Sequence, residues 1–151
     1  MSLENWLRNG FLRKHDPTLA EVQQLLGVVD RELSDASAQG LSPDGKFEHA
    51  YNAARLLCMI ALHASGYEVG EGSGHHHYII NSLEHTLGAS QADNTVYLSR
   101  CSKQRSQGLY DRAGVVDQKD ADDLLATAAQ LKADVLAWLR ANHSQILPKG
   151  R

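Results

Sequence analysis

Two cysteines, Cys58 and Cys101, are too few for a disulfide framework, and neither sits in a CxxC pair or a Cys/His ligand spacing. We expect buried free thiols in a reducing compartment. Only three prolines occur, at 17, 43 and 148, each where a helix would begin or the chain would end, so none breaks a helix interior. No run approaches the roughly 18 apolar residues of a membrane span, and the opening "MSLENWLRNG" has neither the basic nor the apolar region of a secretory signal. The expectation is a cytoplasmic protein without membrane contact. Neither sign of charge dominates: the net charge of -3 with eight neutral histidines gives no global attraction for nucleic acid or an anionic surface. Any anion site must therefore be built locally. There is no GxSxG elbow and no P-loop, and "GEGSG" does not follow a strand. No segment alternates with period two, and no internal repeat, coiled-coil register or low-complexity tract is present.

What is present is helical periodicity. With 42% hydrophobic and 22% charged residues in 151, the chain has the composition of a single globular domain, which we place over residues 1–151 with a core of about 18–142. A short helix is expected from Leu3 to Leu12. After Pro17, the residues Leu19, Val22, Leu25/Leu26, Val29, Leu33 and Ala36 recur at three- and four-residue steps up to Gly40. Ser42-Pro43 opens a helix with an apolar face of Phe47, Ala50, Ala54, Leu57, Cys58 and Ala61, closed by Gly66. "GYEVGEGSG" carries four glycines in nine residues and reads as a loop. Further helices are expected over about 75–87, 91–110 and 117–142. The last begins among Asp117, Asp120, Asp122 and Asp123, whose charge suits the positive end of a helix dipole. The expected fold is all-α, an up-and-down bundle of four main helices with short ones added.

One residue breaks the pattern. In "RCSKQRSQGLYDR", Leu98, Cys101, Arg105 and Leu109 fall at i, i+3, i+7 and i+11, one buried stripe with a permanent cation in it. A guanidinium does not lose its proton, so an inward arginine needs a carboxylate, carbonyls or a bound phosphate. Two readings follow. Arg105 is a structural tie, through Asp111 or an acid elsewhere, or Arg105, Ser106, Tyr110 and Asp111 frame an anion pocket for the fork geometry of phosphate oxygens. In an unbroken helix, five residues span about 500°, so Arg105 and Tyr110 do not stack unless Gly108 loosens the last turn. The same stretch holds Arg100, Lys103, Arg105 and Arg112 against Asp111 alone.

The stretches "AYNAARLLCMIALHASGYEVGEGSGHHH" and "RCSKQRSQGLYDRAGVV" resemble one bacterial branch of the HEPN superfamily of small helical bundles, over roughly residues 45 to 140. The family's active members are metal-independent ribonucleases carrying an arginine, a polar residue and, a few positions on, a histidine. Arg105 matches the arginine and Ser106 the polar residue, while Tyr110 stands at the histidine position. The resemblance implies a homodimer whose two motifs converge, helping an RNA 2′-hydroxyl attack the adjacent phosphodiester. It also implies an alternative role, as non-cleaving partner of a nucleotidyltransferase in a toxin–antitoxin pair. A phenol with a reference pKa near 10 is a poor general base but donates a hydrogen bond to phosphate.

Other candidates are the histidines and one helix face. Glycines before "HHH" permit close backbone approach, and a helix start there favours neutral His75 and His76, either of which could join the Arg105 site. The alternative is a solvated helix start. His77 and His85 share a face with Asn81 at i, i+4 and i+8, a weak metal pair lacking a third charged ligand. Tyr51, Asn52 and Arg55 flank the alanine face and point to a pocket or an interface. His15, His49, His63 and His143 stand singly and are expected to carry no function, and Trp6 and Trp138 read as core or interface anchors. The expected function is binding of RNA, a nucleotide or a partner protein at Arg105 and Tyr110, without cofactor. A ribonuclease, and an interaction subunit with a structural Arg105, are the alternatives.

Overall fold

Ser42 accepts a hydrogen bond from the Gly45 amide and Pro43 occupies the first turn, so the longest apolar face starts with a side-chain cap and a preset φ. The computed structural model describes residues 2–72, 74–110 and 114–151, with backbone only for 107–110. In it this helix, α3 (Pro43–Ala64), is the centre of an all-α bundle. It is flanked along its length by α2 (Leu19–Ala36) and α7 (Gln118–Asn142), and its remaining face meets α4 (His75–Asn81) and α6 (Ala92–Tyr110). Ala50, Ala53, Ala54, Ala61 and Ala64 are buried, and their small side chains let neighbouring helices come close. Larger side chains, Leu26, Leu57, Ile60, Leu98, Leu124, Leu131 and Leu139, fill the rest of the core. Each fully buried leucine contributes about 1.5–3 kcal/mol over its exposed state.

The long helices follow their sequence periods. Val22, Leu26, Val29 and Ala36 of α2 are buried, although Leu19 in its first turn is 44% exposed. In α7, Ala121, Leu124, Ala128, Leu131, Val135 and Leu139 form the buried stripe, and Asp117 with Asp120 makes a reciprocal capping box. Asp30 of α2 forms ion pairs with Lys132 of α7 at 2.6 Å and with Arg151 at 2.7 Å, joining the helices at the surface. No helix among the described residues is long and apolar enough to cross a membrane.

Two expectations need correction. The first helix, α1, stops at Arg8 rather than Leu12, and Leu12–Lys14 becomes a strand, β1, antiparallel to β2 (Tyr67–Val69) in the supposed glycine loop. Three-residue strands are too short to display a period of two, and this pair forms only when chain segments 55 residues apart meet. Gly10, at φ +78°, makes the turn out of α1. Trp6, Leu12 and Leu62 form a small satellite core under this corner. The expected helix over 75–87 is divided into α4 and α5 (Leu83–Thr86) at buried Ser82, whose hydroxyl donates back to the Ile79 carbonyl at 2.7 Å.

Candidate functional site between the central helix and the two helices facing it

The period of α3 puts Glu48, Tyr51 and Arg55 at i, i+3 and i+7 on one face, and that of α6 aligns Leu98, Cys101 and Arg105, with Ser102 three residues before Arg105. Packed against each other and against α4, these faces build one polar cluster inside an apolar frame. Leu98 and Cys101 are buried as their stripe requires, and Arg105 leaves 19% of its side chain exposed.

The partner of that inward cation is Glu48. Arg105 donates from Nε to Glu48 Oε2 at 2.6 Å and from its NH2 group to Oε1 at 3.0 Å, a fork-to-carboxylate pair. Its guanidinium carbon lies 5.3 Å from the centre of the Tyr51 ring, so the cation also meets an aromatic face. Tyr51 is fully buried. Its hydroxyl lies 2.8 Å from His76 Nδ1 and 3.2 Å from Ser102 Oγ, linking all three elements. A phenol has one proton. Donated to Ser102, it obliges His76 Nδ1–H to donate to the Tyr51 oxygen, leaving Nε2 of a neutral imidazole as a lone pair.

The surroundings favour that neutral form. Burial, then the positive charges of Arg55 and Arg105, lower the His76 pKa from its ordinary value, with Glu48 opposing them. Burial raises the Tyr51 pKa despite Ser102 and the two arginines, so the phenol stays protonated. Arg55 is half-buried, and its Nε is buried with no hydrogen-bond partner among the described residues. Among the described residues the site thus gathers two guanidinium groups, one carboxylate and a neutral imidazole. Beside it, a cleft of about 150 Å³ between α4 and α6 is lined by His77, Ile80, Ser99, Ser102 and Lys103.

The chain matches no protein-family model, no curated protein and no solved structure.

Of the residues expected at the site, Arg105, Tyr51 and His76 are brought together. Ser106 is exposed on α6, His75 is exposed at the start of α4, and Asn52 is half-buried on the flank of the α3 face. The Tyr110 side chain and Asp111 lie outside the described residues. His77 and His85 do not form a metal pair with a shared third ligand among the described residues. Asn81 donates to the His77 carbonyl at 2.8 Å, and His85, beyond the break at Ser82, packs edge-on against Trp6. Sequence reasoning did not single out Glu48 and Ser102. The available signal was helical spacing, since Glu48 precedes Tyr51 by three residues and Ser102 precedes Arg105 by three.

Proposed function

We propose that this chain is a HEPN-like helical-bundle protein that binds a phosphate group of RNA or a nucleotide at the cluster of Arg55, His76 and Arg105. The observation that carries the reading is the buried Nε of Arg55. Glu48 gives both of its oxygens to Arg105, and among the described residues the buried Nε of Arg55 has no hydrogen-bond partner, a donor that a phosphate oxygen would satisfy. Lys103, exposed on the same helix and lining the adjacent cleft, adds positive charge beside the site. The proposed assembly is a homodimer, and a nucleotidyltransferase-type partner would dock on the same helices.

Fluorescence anisotropy with a short single-stranded RNA tests this, with ATP as competitor. Arg55→Ala should weaken binding at least tenfold, about 1.4 kcal/mol, and wild-type affinity should fall steeply with salt. Unchanged affinity in Arg55→Ala would reject the site.

A second reading, RNA cleavage, is favoured by one feature. The His76 imidazole is held neutral and oriented by Tyr51, the state a general base needs near neutral pH. Under that reading His76 takes the role expected at position 110, accepting the 2′-hydroxyl proton as O2′ bonds to phosphorus; arginine stabilises the phosphorane charge, and the P–O5′ bond breaks with O5′ taking a proton from water, leaving a 2′,3′-cyclic phosphate and a 5′-hydroxyl. Incubation with RNA beside His76→Ala decides it: cleavage equal in both samples excludes His76 as the base. A purely structural Arg105 would instead show as an Arg105→Ala variant that melts lower and binds RNA as wild type does.

A further inference from the structure

A second polar cluster lies near the β1–β2 corner, built from residues far apart in sequence. His15 follows β1, Glu21 stands in the first turn of α2 and His63 in the last turn of α3. One carboxylate serves both imidazoles. His15 Nε2 is 2.7 Å from Glu21 Oε2, and His63 Nδ1 is 2.5 Å from Glu21 Oε1. The two rings are 4.4 Å apart between centroids, and one donor atom from each of the three residues lies within 4.8 Å of the others.

The other nitrogen of His15 makes the arrangement informative. His15 Nδ1 lies 2.6 Å from Glu68 Oε2, and Arg13 holds the remaining oxygen of Glu68. His15 therefore has a carboxylate oxygen against each ring nitrogen, while a neutral imidazole has a single N–H to offer. Either the ring carries a second proton, or a cation stands in place of the proton between Nε2 and Glu21. In the latter case Glu68 plays the part of an outer-shell carboxylate, fixing the tautomer of a metal-bound histidine through Nδ1–H. Arg13 anchors that carboxylate in turn.

We propose that His15, Glu21 and His63 form a binding site for Zn²⁺, with His15 oriented by Glu68 and a fourth position open to water. Two imidazoles and one carboxylate are the donor set this borderline ion prefers. Bonds of about 2.0–2.1 Å at tetrahedral angles place donors about 3.3 Å apart, so small side-chain movements from the hydrogen-bonded positions open the space. Side-chain exposures of 15% to 25% for the three ligands leave a route for the ion and room for a water ligand. The ion would clamp the start of α2 to the end of α3 beside the strand pair.

The test uses the full-length protein, stripped with chelator and titrated with Zn²⁺ alone by calorimetry. The expected result is one tight site per chain, a melting temperature raised by about 5 °C or more at saturation, and a tetrahedral absorption spectrum with Co²⁺. His15→Ala and Glu21→Gln should lose the site, with helical circular dichroism confirming that they fold. His63→Ala should do the same, and His75→Ala/His77→Ala should keep it. No uptake by the wild type would overturn the proposal. So would a site retained in folded His15→Ala, or one lost only in His75→Ala/His77→Ala, which would assign the ion to the histidine run.

Discussion

Arg105 and Glu48, 57 residues apart in the chain, meet through two parallel hydrogen bonds across the α3–α6 contact. The guanidinium that interrupts an apolar stripe is thereby matched by the acid whose geometry best fits it. Because both side chains retain some water contact, their attraction is partly screened and their desolvation cost is smaller than in a fully buried pair.

Breaking the pair from either side should therefore have unequal consequences. Glu48→Gln removes the carboxylate that accepts both hydrogen bonds from Arg105, and we expect a loss of about 1–3 kcal/mol in urea unfolding. Glu48→Gln combined with Arg105→Met should recover part of that loss, since no charge is then stranded. A double variant no better than the sum of both single variants would show the two residues to be uncoupled.

Tyr51→Phe removes the hydroxyl between His76 and Ser102 and keeps the ring beneath Arg105. The expected cost is about 1 kcal/mol, the net worth of a hydrogen bond, with no cavity to add. The more telling readout is NMR of the His76 ring, whose Nδ1–H signal should lose its hydrogen-bonded shift. A ring signal identical to wild type would mean that Tyr51 does not orient His76.

Two pH windows should appear in stability. His76 titrates in the unfolded chain near 6.5 and lower in the folded state, so between those values the unfolded state binds more protons. Stability from this group is complete above about pH 6.5 and falls as pH drops through the folded value. Asp30 acts in the same direction at lower pH. Burial alone would raise its pKa, but the bonds from Lys132 and Arg151 outweigh that and hold it below the ordinary 3.8. Its contribution is present above pH 3.8 and is lost as the folded value is crossed. Urea melts across pH should show His76→Asn flattening the upper window alone and Asp30→Asn reducing the lower, to which Glu21, Glu68 and Asp122, also held below their ordinary values, contribute.

Gly70 tests the strand corner. A Cβ there would sit 2.7 Å from the Gly10 carbonyl oxygen, a backbone atom that cannot swing aside, so Gly70→Ala must displace the turn that follows α1. Overpacking of this kind costs about 1–3 kcal/mol. Trp6, 4% exposed in the neighbouring satellite core, should report it by a red shift in fluorescence while the far-ultraviolet helix signal stays near wild type. Gly27→Ala, on α2 where a Cβ meets nothing within 4 Å, is the control and should be neutral or stabilising.

The buried stripe of α7, the Ser42-Pro43 start of α3 and the inward position of Arg105 were legible because each depends on residues within a few turns of one another. The break at Ser82 was not, because a serine continues a helix or leaves it according to what its hydroxyl meets. The strand pair was hidden for another reason: β1 and β2 are too short to carry a pattern and acquire their hydrogen bonds only from each other. At the site, Arg105, Tyr51 and His76 were visible as candidates one by one. Their mutual arrangement, through Glu48 and Ser102, was not.

The chain alone decided that the molecule is a helical bundle and that one of its helices carries a cation on its inner side. Helical period and capping are local properties, set by side chains three and four residues apart. Tertiary structure decided which acid answers that cation, that His76 rather than a neighbouring histidine reaches Tyr51, and that His15, Glu21, His63 and Glu68 converge at all. Those partners come from separate elements, and their meeting depends on where packed helices cross, which no short stretch of sequence encodes.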